Sequence, residues 1–441
     1  MRGVAGMEER ADHADARRSS GAIGFFGALA LVMGNLIGSG IYLLPATLAP
    51  LGGNGTLGWV ATIAGSLCLA FVFARLAGAV PGAGGPYAYA ELAFGPRIGF
   101  AAAWSYWTLV WAGNGAIAVA AVSALSVAVP ALAPHAALVA VALVWAMVLV
   151  NVAGVDAAAR MQVVTMVLKL LPLGAVVLLA AWWLLAGGGP AVRNPAVPLD
   201  ARAVAGAAAL TFWGFLGLES ATVPADKVRD AARTVPRATL IGTVAVGLIY
   251  LAVSSAITYM MPRAAIAASP APIADVLGVA FGSGVAQVVA LFAAISALGA
   301  LNGFVLLQGE VPRAMARGGV FPRWFAHESA RGVPVRAHVL AGAMVTAVTL
   351  ANYTRGMGDL FAFVAAVSLA AGMLAYFVSA LAAVWLLRGD APARAAGVAS
   401  AAFVAWMSWG LGREANGWAL ALLLAGVPVY AAVRRGGASA R

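Results

Sequence analysis

Charge is what this chain has least of. Asp, Glu, Lys and Arg make up 10% of its 441 residues, against 63% hydrophobic, whereas a soluble domain carries about 25% charged residues. A surface so poor in charge is built for lipid rather than water. Cysteine is nearly absent too, and the single Cys68 excludes an intramolecular disulfide framework. Four histidines, His13, His135, His327 and His338, are too scattered for metal-ligand spacing. No ATPase-type phosphate loop occurs, which leaves primary active transport unsupported. No Ser/His/Asp set or His/Glu cluster occurs, so a membrane enzyme lacks its machinery. The ten-residue alternating segments of a membrane β-barrel are missing as well. No cofactor or metal is implied.

What is present is a series of apolar stretches of roughly twenty residues, each long enough to cross a bilayer. They must be helices, because backbone polar groups in lipid need internal partners. The pattern predicts an all-α integral membrane protein with about twelve transmembrane helices. They are expected near 23–45, 56–80, 98–130, 136–154, 160–186, 203–223, 237–261, 276–308, 337–354, 359–387, 395–412 and 416–433. Residues 1–20 read as a polar tail without a signal-peptide cleavage site. Residues 21–390 read as a ten-helix core. A charged break, RGDAPARA, then sets off residues 391–441 as two peripheral helices and a short tail.

The net charge of +11 is a topology signal. With these spans, 21 of the 27 Lys and Arg residues fall on the side of the termini and five on the other: Arg193, Arg202, Arg263, Arg355 and Arg413. That asymmetry places both termini in the cytoplasm of a multi-pass inner-membrane protein. The basic residues form no clustered face or recognisable module for nucleic acid, which is not an expected partner.

Two spans carry glycine clusters at their middles. The first reads Gly34-Asn35-Leu36-Ile37-Gly38-Ser39-Gly40, the sixth Trp213-Gly214-Phe215-Leu216-Gly217-Leu218-Glu219-Ser220. Glycine weakens a helix interior, so such clusters point to unwound backbone. Close helix packing is the other use of such glycines. Two clusters at matching positions of two five-helix halves, each with polar residues, favour a transporter binding site. A half-helix starting after Gly40 would offer N–H groups and a positive dipole end to a substrate carboxylate.

Ionisable groups at membrane depth are costly, and each is a functional candidate. Glu219 follows the sixth-span break, where it can pair with a cationic substrate, carry a proton or bond an unwound segment. Lys169 lies nine residues past Arg160, about 14 Å along a helix, too deep to snorkel easily. It serves as a built-in cation, a proton carrier or a fixed structural charge. Glu310 reads as a surface ion pair with Arg313 and Arg317. Of the aromatics Tyr106, Trp107, Trp111, Trp213, Phe304 and Tyr376, Trp213 stands out because it directly precedes a break.

These residues resemble the amino acid–polyamine–organocation transporters, and within them the bacterial arginine/agmatine antiporters. The segments that carry the resemblance are GNLIGSGIYLLPATLA, PGAGGPYAYAELAFGP, YWTLVWAGN, FWGFLGLESATV with RTVPRATLIG, and GGVFPRWFA. Each is modest alone, but their order and spacing span nearly the whole chain. The resemblance implies a five-plus-five inverted repeat with discontinuous helices 1 and 6, alternating access and a homodimer. It implies substrate contacts at Asn35, Ile37, Ser39, Gly40, Asn114, Ile117 and Ser368. It also implies an aromatic gate at Trp213 with Leu216 beside it. Glu219, Tyr106 and Tyr376 resemble a distal gate, and Tyr87 a tyrosine linked to pH sensing.

Three positions depart from the antiporter pattern. Phe304 stands where a tryptophan stacks on the substrate, Ile117 where there is a methionine, and Lys169 where the site is apolar. Lys169 resembles the span-five lysine of proton-coupled permeases, whose ammonium stands in for a sodium ion. A second buried cation would disfavour a dication by roughly 1 kcal/mol at an effective dielectric of 20 and about 10 Å. The expected function is exchange of a cationic amino acid, arginine, for its decarboxylated amine, agmatine. The alternative is a proton-coupled permease or exporter of neutral amino acids. A channel or a transporter-like sensor shares the outline, but the first would conduct faster than a carrier turns over and the second would bind without moving substrate.

Overall fold

A computed structural model describes residues 23–38, 40–80, 84–187, 192–269, 271–282, 284–351 and 357–438. The expected tail at 1–20 and the predicted contact Ser39 lie outside the described residues. The described residues are helical apart from turns, the irregular segment 192–200 and one isolated parallel bridge, Ile23 to Val228. In chain order the helices are α1 (Phe25–Leu36), α2 (Gly40–Leu48), α3 (Gly53–Ala79), α4 (Pro86–Phe94), α5 (Pro96–Ala128) and α6 (Ala136–Val152). Then follow α7 (Val155–Ala186), α8 (Ala201–Phe212), α9 (Ala231–Met260), α10 (Arg263–Ala268), α11 (Pro272–Phe281) and α12 (Val285–Arg317). The last are α13 (Val335–Ala351), α14 (Met357–Leu386), α15 (Ala391–Gly410), α16 (Gly412–Leu424) and α17 (Gly426–Ala438).

Among the described residues, eight helical stretches are long and apolar enough to cross a membrane: Gly53–Ala79, Pro96–Ala128, Pro130–Val152, Ala157–Ala186, Ala231–Met260, Val285–Arg317, Phe363–Leu386 and Gly412–Arg434. Their burial sorts them. About seven-tenths of the apolar window is buried in α5, α12 and the Phe363–Leu386 part of α14, against 11% in Gly412–Arg434. The first three form the centre, with α12 and α14 both packed along α5. α3 packs on α8 and α9, and α15 joins that layer through α14 and α3. Asp390 starts α15 as its N-cap, accepting from Ala393 N at 3.1 Å and from Arg75 Nε of α3 at 2.6 Å. That backbone N–H, and then Arg75, hold its carboxyl below the usual carboxylate range.

One predicted boundary is corrected. The span expected at 276–308 is two helices, α11 and α12, separated around Gly282, whose φ of +87° ends a helix without strain only in glycine. The long helix starts at Val285 and continues to Arg317. This moves Glu310 from a loop to the last turns of a helix.

Candidate substrate site

Each glycine cluster interrupts an α-helix. α1 ends where Ile37 takes φ −80° and ψ 83°, and α2 begins at Gly40. After α8 the chain makes a 3₁₀ turn at Trp213–Phe215, extends at Leu216 and passes through Gly217 at φ +95°. A helix that stops inside the bundle strands its last carbonyls. Here four of them have named donors. Lys169 Nζ donates to Gly34 O at 2.8 Å and Ile37 O at 2.5 Å, and Tyr250 OH to Leu36 O at 2.6 Å. Ser296 Oγ reaches Ile37 O and Gly38 O, each at 3.2 Å. Lys169 is fully buried and, among the described residues, has no carboxylate partner. Its charge faces the negative end of α1.

Asn35 tethers the two breaks. Its Nδ2 donates to Ser220 Oγ at 2.7 Å, and its Oδ1 accepts from Gln162 Nε2 at 3.1 Å. The chain of amides continues from Asn302 Nδ2 to Gln162 Oε1 and from Asn151 Nδ2 to Asn302 Oδ1, both at 3.1 Å. Thus α1, the sixth-span break, α7, α12 and α6 share one buried polar network. Two glycines make its slot: a Cβ on Gly303 would sit 1.7 Å from Asn35 Oδ1, and one on Gly217 would sit 2.8 Å from Asn35 Cβ. Gly303→Ala is therefore expected to displace Asn35 and cut transport at least tenfold while the protein still inserts. Uptake per purified protein in vesicles, beside a melting curve, checks this.

Between the breaks lies a cavity of about 20 Å3, lined among others by Asn35, Gly38, Gly40, Ile117, Trp213, Leu216 and Phe304. That volume holds about one water, so this conformation is shut around the site. Gly40 brings the N–H end of α2 to the wall, and a Cβ there would lie 3.2 Å from the Trp213 indole. Six predicted contacts thus meet at one cavity: Asn35, Gly40, Ile117, Trp213, Leu216 and Phe304. The other described ones, Ile37, Asn114 and Ser368, sit apart from its lining. Ile37 contributes a carbonyl to Lys169. Asn114 Nδ2 donates to Gln308 Oε1 at 2.7 Å, leaving Asn114 Oδ1 and Gln308 Nε2 buried and unpartnered. Ser368 bonds Ala365 O at 3.0 Å and stands behind Gly113, a lining residue.

Beyond Gly217, Glu219 is fully buried. The hydroxyls of Tyr106 (α5) and Tyr376 (α14) face its carboxylate, and the two rings meet edge-to-face at 6.5 Å. The contacts fall short of strict hydrogen-bond geometry, so the two hydroxyls are loosely placed donors to the carboxylate. A buried carboxylate with only two loosely placed hydroxyl donors gains from a cationic donor that enters the cluster. Tyr87, on α4, is far along the molecule, its hydroxyl pressed on Gly318 at the end of α12.

The arginine-rich face below is locked by ion pairs, which corrects the surface reading of Glu310. Glu310 and Arg313 are each 1% exposed. Glu310 bonds Lys227 Nζ at 2.5 Å and meets Arg313 Nε at 2.7 Å. Arg313 also holds Asp226 at 2.8 Å and Glu328 at 2.9 Å, while Lys227 donates to Gly332 O at 2.9 Å. The continuation of α12 to Arg317 puts Glu310 inside the bundle, where the 225–227 turn and the segment holding Glu328 and Gly332 cover it.

Sequence reading missed Gln162, Asn302, Asn151, Tyr250, Ser296 and the Asp226–Glu328 partners of Arg313. The only signal at most of them was a lone polar residue in an apolar run. Among the described residues no three of His, Cys, Asp and Glu cluster to hold a metal.

A family model for amino acid permeases matches residues 23–431. The chain is 35% identical over 368 residues to a cadaverine/lysine antiporter of Escherichia coli, covering 82% of this chain and 83% of that one. It is 33% identical over 324 residues to an arginine/ornithine antiporter of Pseudomonas aeruginosa, covering 70% and 67%. It is 29% identical over 392 residues to a putative arginine/ornithine antiporter of Bacillus subtilis, covering 81% and 83%. With its broken helices, buried polar tether and membrane-length spans, the chain belongs to the amino acid permease family of membrane transporters.

Proposed function

We propose that the protein exchanges a cationic amino acid for its decarboxylated amine across the inner membrane by alternating access. The observation that carries this is Glu219. A buried carboxylate, faced only by two tyrosine hydroxyls, lies beyond an aromatic-walled cavity whose other wall is a helix N-terminus. A zwitterionic head would bind the free N–H end of α2. The aliphatic part would pass between Trp213, Ile117 and Phe304, and the distal cation would engage Glu219. The relatives are named for lysine, cadaverine, arginine and ornithine, all cationic at neutral pH. Arginine for agmatine is the narrower proposal. Lysine for cadaverine is the second, favoured by the 35% relative.

The wider architecture is part of the same proposal. The breaks after α1 and α8 are corresponding positions of a five-plus-five inverted repeat in a twelve-span chain. The arginine-rich face is cytoplasmic with both termini, residues 391–441 are peripheral, and the assembly is a homodimer. Trp213 is the part of the wall that must move for a substrate to enter, and the Lys227–Glu310–Arg313 cluster must part for it to leave inward.

Lys169 supports the other reading, a proton-coupled permease for neutral amino acids. Glu219→Gln separates the two. It keeps the shape and removes the charge, at a cost of about 1.5–3 kcal/mol for a charged hydrogen bond. Apparent affinity for arginine or lysine is then expected to fall roughly ten- to hundredfold, with neutral amino acids gaining relative to them. Unchanged affinity for the cationic substrates and strong transport of neutral ones in both proteins would favour the permease.

A further inference from the structure

The arginine-poor face carries a second recess, away from the central cavity. It measures about 430 Å3 and is walled by the end of α2, the start of α3, the last turns of α9, α10 and the 192–194 segment. An adjoining recess of about 430 Å3 shares Asn194 and Arg263 and adds Arg193. Two of the five basic residues counted on this face therefore meet here, and no Asp or Glu lines either recess.

Arg263 is set in place. Its backbone N–H donates to Asn194 Oδ1 at 2.6 Å, and its guanidinium donates to Pro195 O. Asn194 is in turn held by Thr258 O at 3.1 Å. The guanidinium carbon lies against Gly52, 3.3 Å from where a Cβ would be. Ser254, on the same wall, has a buried hydroxyl without a partner.

The recess opens at the top of an apolar stripe. Leu251 of α9 lines it, and Leu248, Val244 and Ile241 follow at helical spacing, 63%, 45% and 50% exposed. Residues three and four apart share a helix face, so from Ser255 to Ile241 this face runs about 21 Å, the thickness of one leaflet with its headgroups. A cationic, hydroxyl-lined recess above a lipid-facing apolar stripe matches an amphiphile with an anionic head. A free phosphate or carboxylate would make no use of the stripe.

We propose that this recess binds the headgroup of an anionic phospholipid, its phosphodiester on Arg263 and Arg193 and an acyl chain along Leu251, Leu248, Val244 and Ile241. Pro45, Leu48 and Ala49 also line the recess, so the lipid braces the far end of α2, whose near end forms the substrate cavity wall. The site is independent of which amino acid is carried.

The test is native mass spectrometry of the full chain extracted from vesicles of phosphatidylcholine with 30% phosphatidylglycerol. The unaltered protein is expected to keep one more phosphatidylglycerol per chain than Arg193→Gln/Arg263→Gln. Ser254→Leu fills the recess but leaves both cations, and it is expected to lose the same lipid. Melting curves of the delipidated proteins check that both variants are folded. Phosphatidylglycerol should raise the melting temperature of the unaltered protein alone. Equal retention by the paired-arginine variant overturns the proposal. So does equal retention of phosphatidylcholine, or stabilisation by millimolar glycerol 3-phosphate that matches the lipid's.

Discussion

Lys169→Met is expected to abolish exchange and to lower thermal stability together. Methionine keeps the length of the stem but removes every donor. Gly34 O then loses its donor, and Ile37 O keeps only Ser296. A buried carbonyl left unsatisfied costs about 1–3 kcal/mol, so the loss at Gly34 O alone puts about that much against the broken conformation of α1, and the weakened bonding of Ile37 O adds to it. The proposed substrate cavity is built on that conformation, since Asn35 and Gly38 line it. A melting temperature and an uptake rate measured on the same preparation check the coupling. If stability is unchanged and only the pH dependence of transport is lost, Lys169 is a proton carrier and its bonds to the α1 carbonyls are secondary.

The second large effect belongs to Arg313. Its guanidinium touches Glu310, Asp226 and Glu328, which come from α12 itself, the turn after the sixth-span break and the segment after α12. Removing one member of a buried ion pair costs about 3–5 kcal/mol because the other charge stays buried. Arg313→Met is expected to destabilise the protein by that order, since Glu310 is left with Lys227 alone. Glu310→Gln in the same chain should recover part of the loss, because the stranded charge goes with it. Thermal denaturation of the two single variants and the double variant measures this. A double variant whose loss is the plain sum of the singles would show that the contact carries no coupling. The same variants should label faster at a cysteine introduced beside Lys227, because the ion pairs close that face.

How much of this could be read from residue order depends on the range of the interaction. The breaks are local: Gly34, Gly38 and Gly40 in one run, Gly214 and Gly217 in another, weaken a helix wherever it lies. Trp213, Leu216, Phe304 and Ile117 were legible as neighbours of one cavity because the resemblance fixed their places along three spans. The polar tether was not legible. Asn35, Gln162, Asn302 and Asn151 sit in different helices, up to 151 residues apart at a single bond, and no periodicity marks a lone amide that has a partner elsewhere. The start of α12 was misplaced because apolar residues run on either side of the Gly282–Gly284 break. With the end of this helix set at 308 instead of Arg317, Glu310 read as a surface group, and the face where its ion pairs are buried could not be seen.

The central claim is obligatory exchange of cationic substrates at the Trp213–Glu219 site. The most direct measurement is uptake of labelled arginine, and in parallel labelled lysine, into vesicles holding the purified protein. The vesicles are empty or preloaded with agmatine or cadaverine. Uptake is predicted to require the internal amine, to favour one matched pair, and to fall at least tenfold in Trp213→Ala. Uptake of a neutral amino acid driven by an inward proton gradient into empty vesicles, with no response to either amine, would contradict the claim.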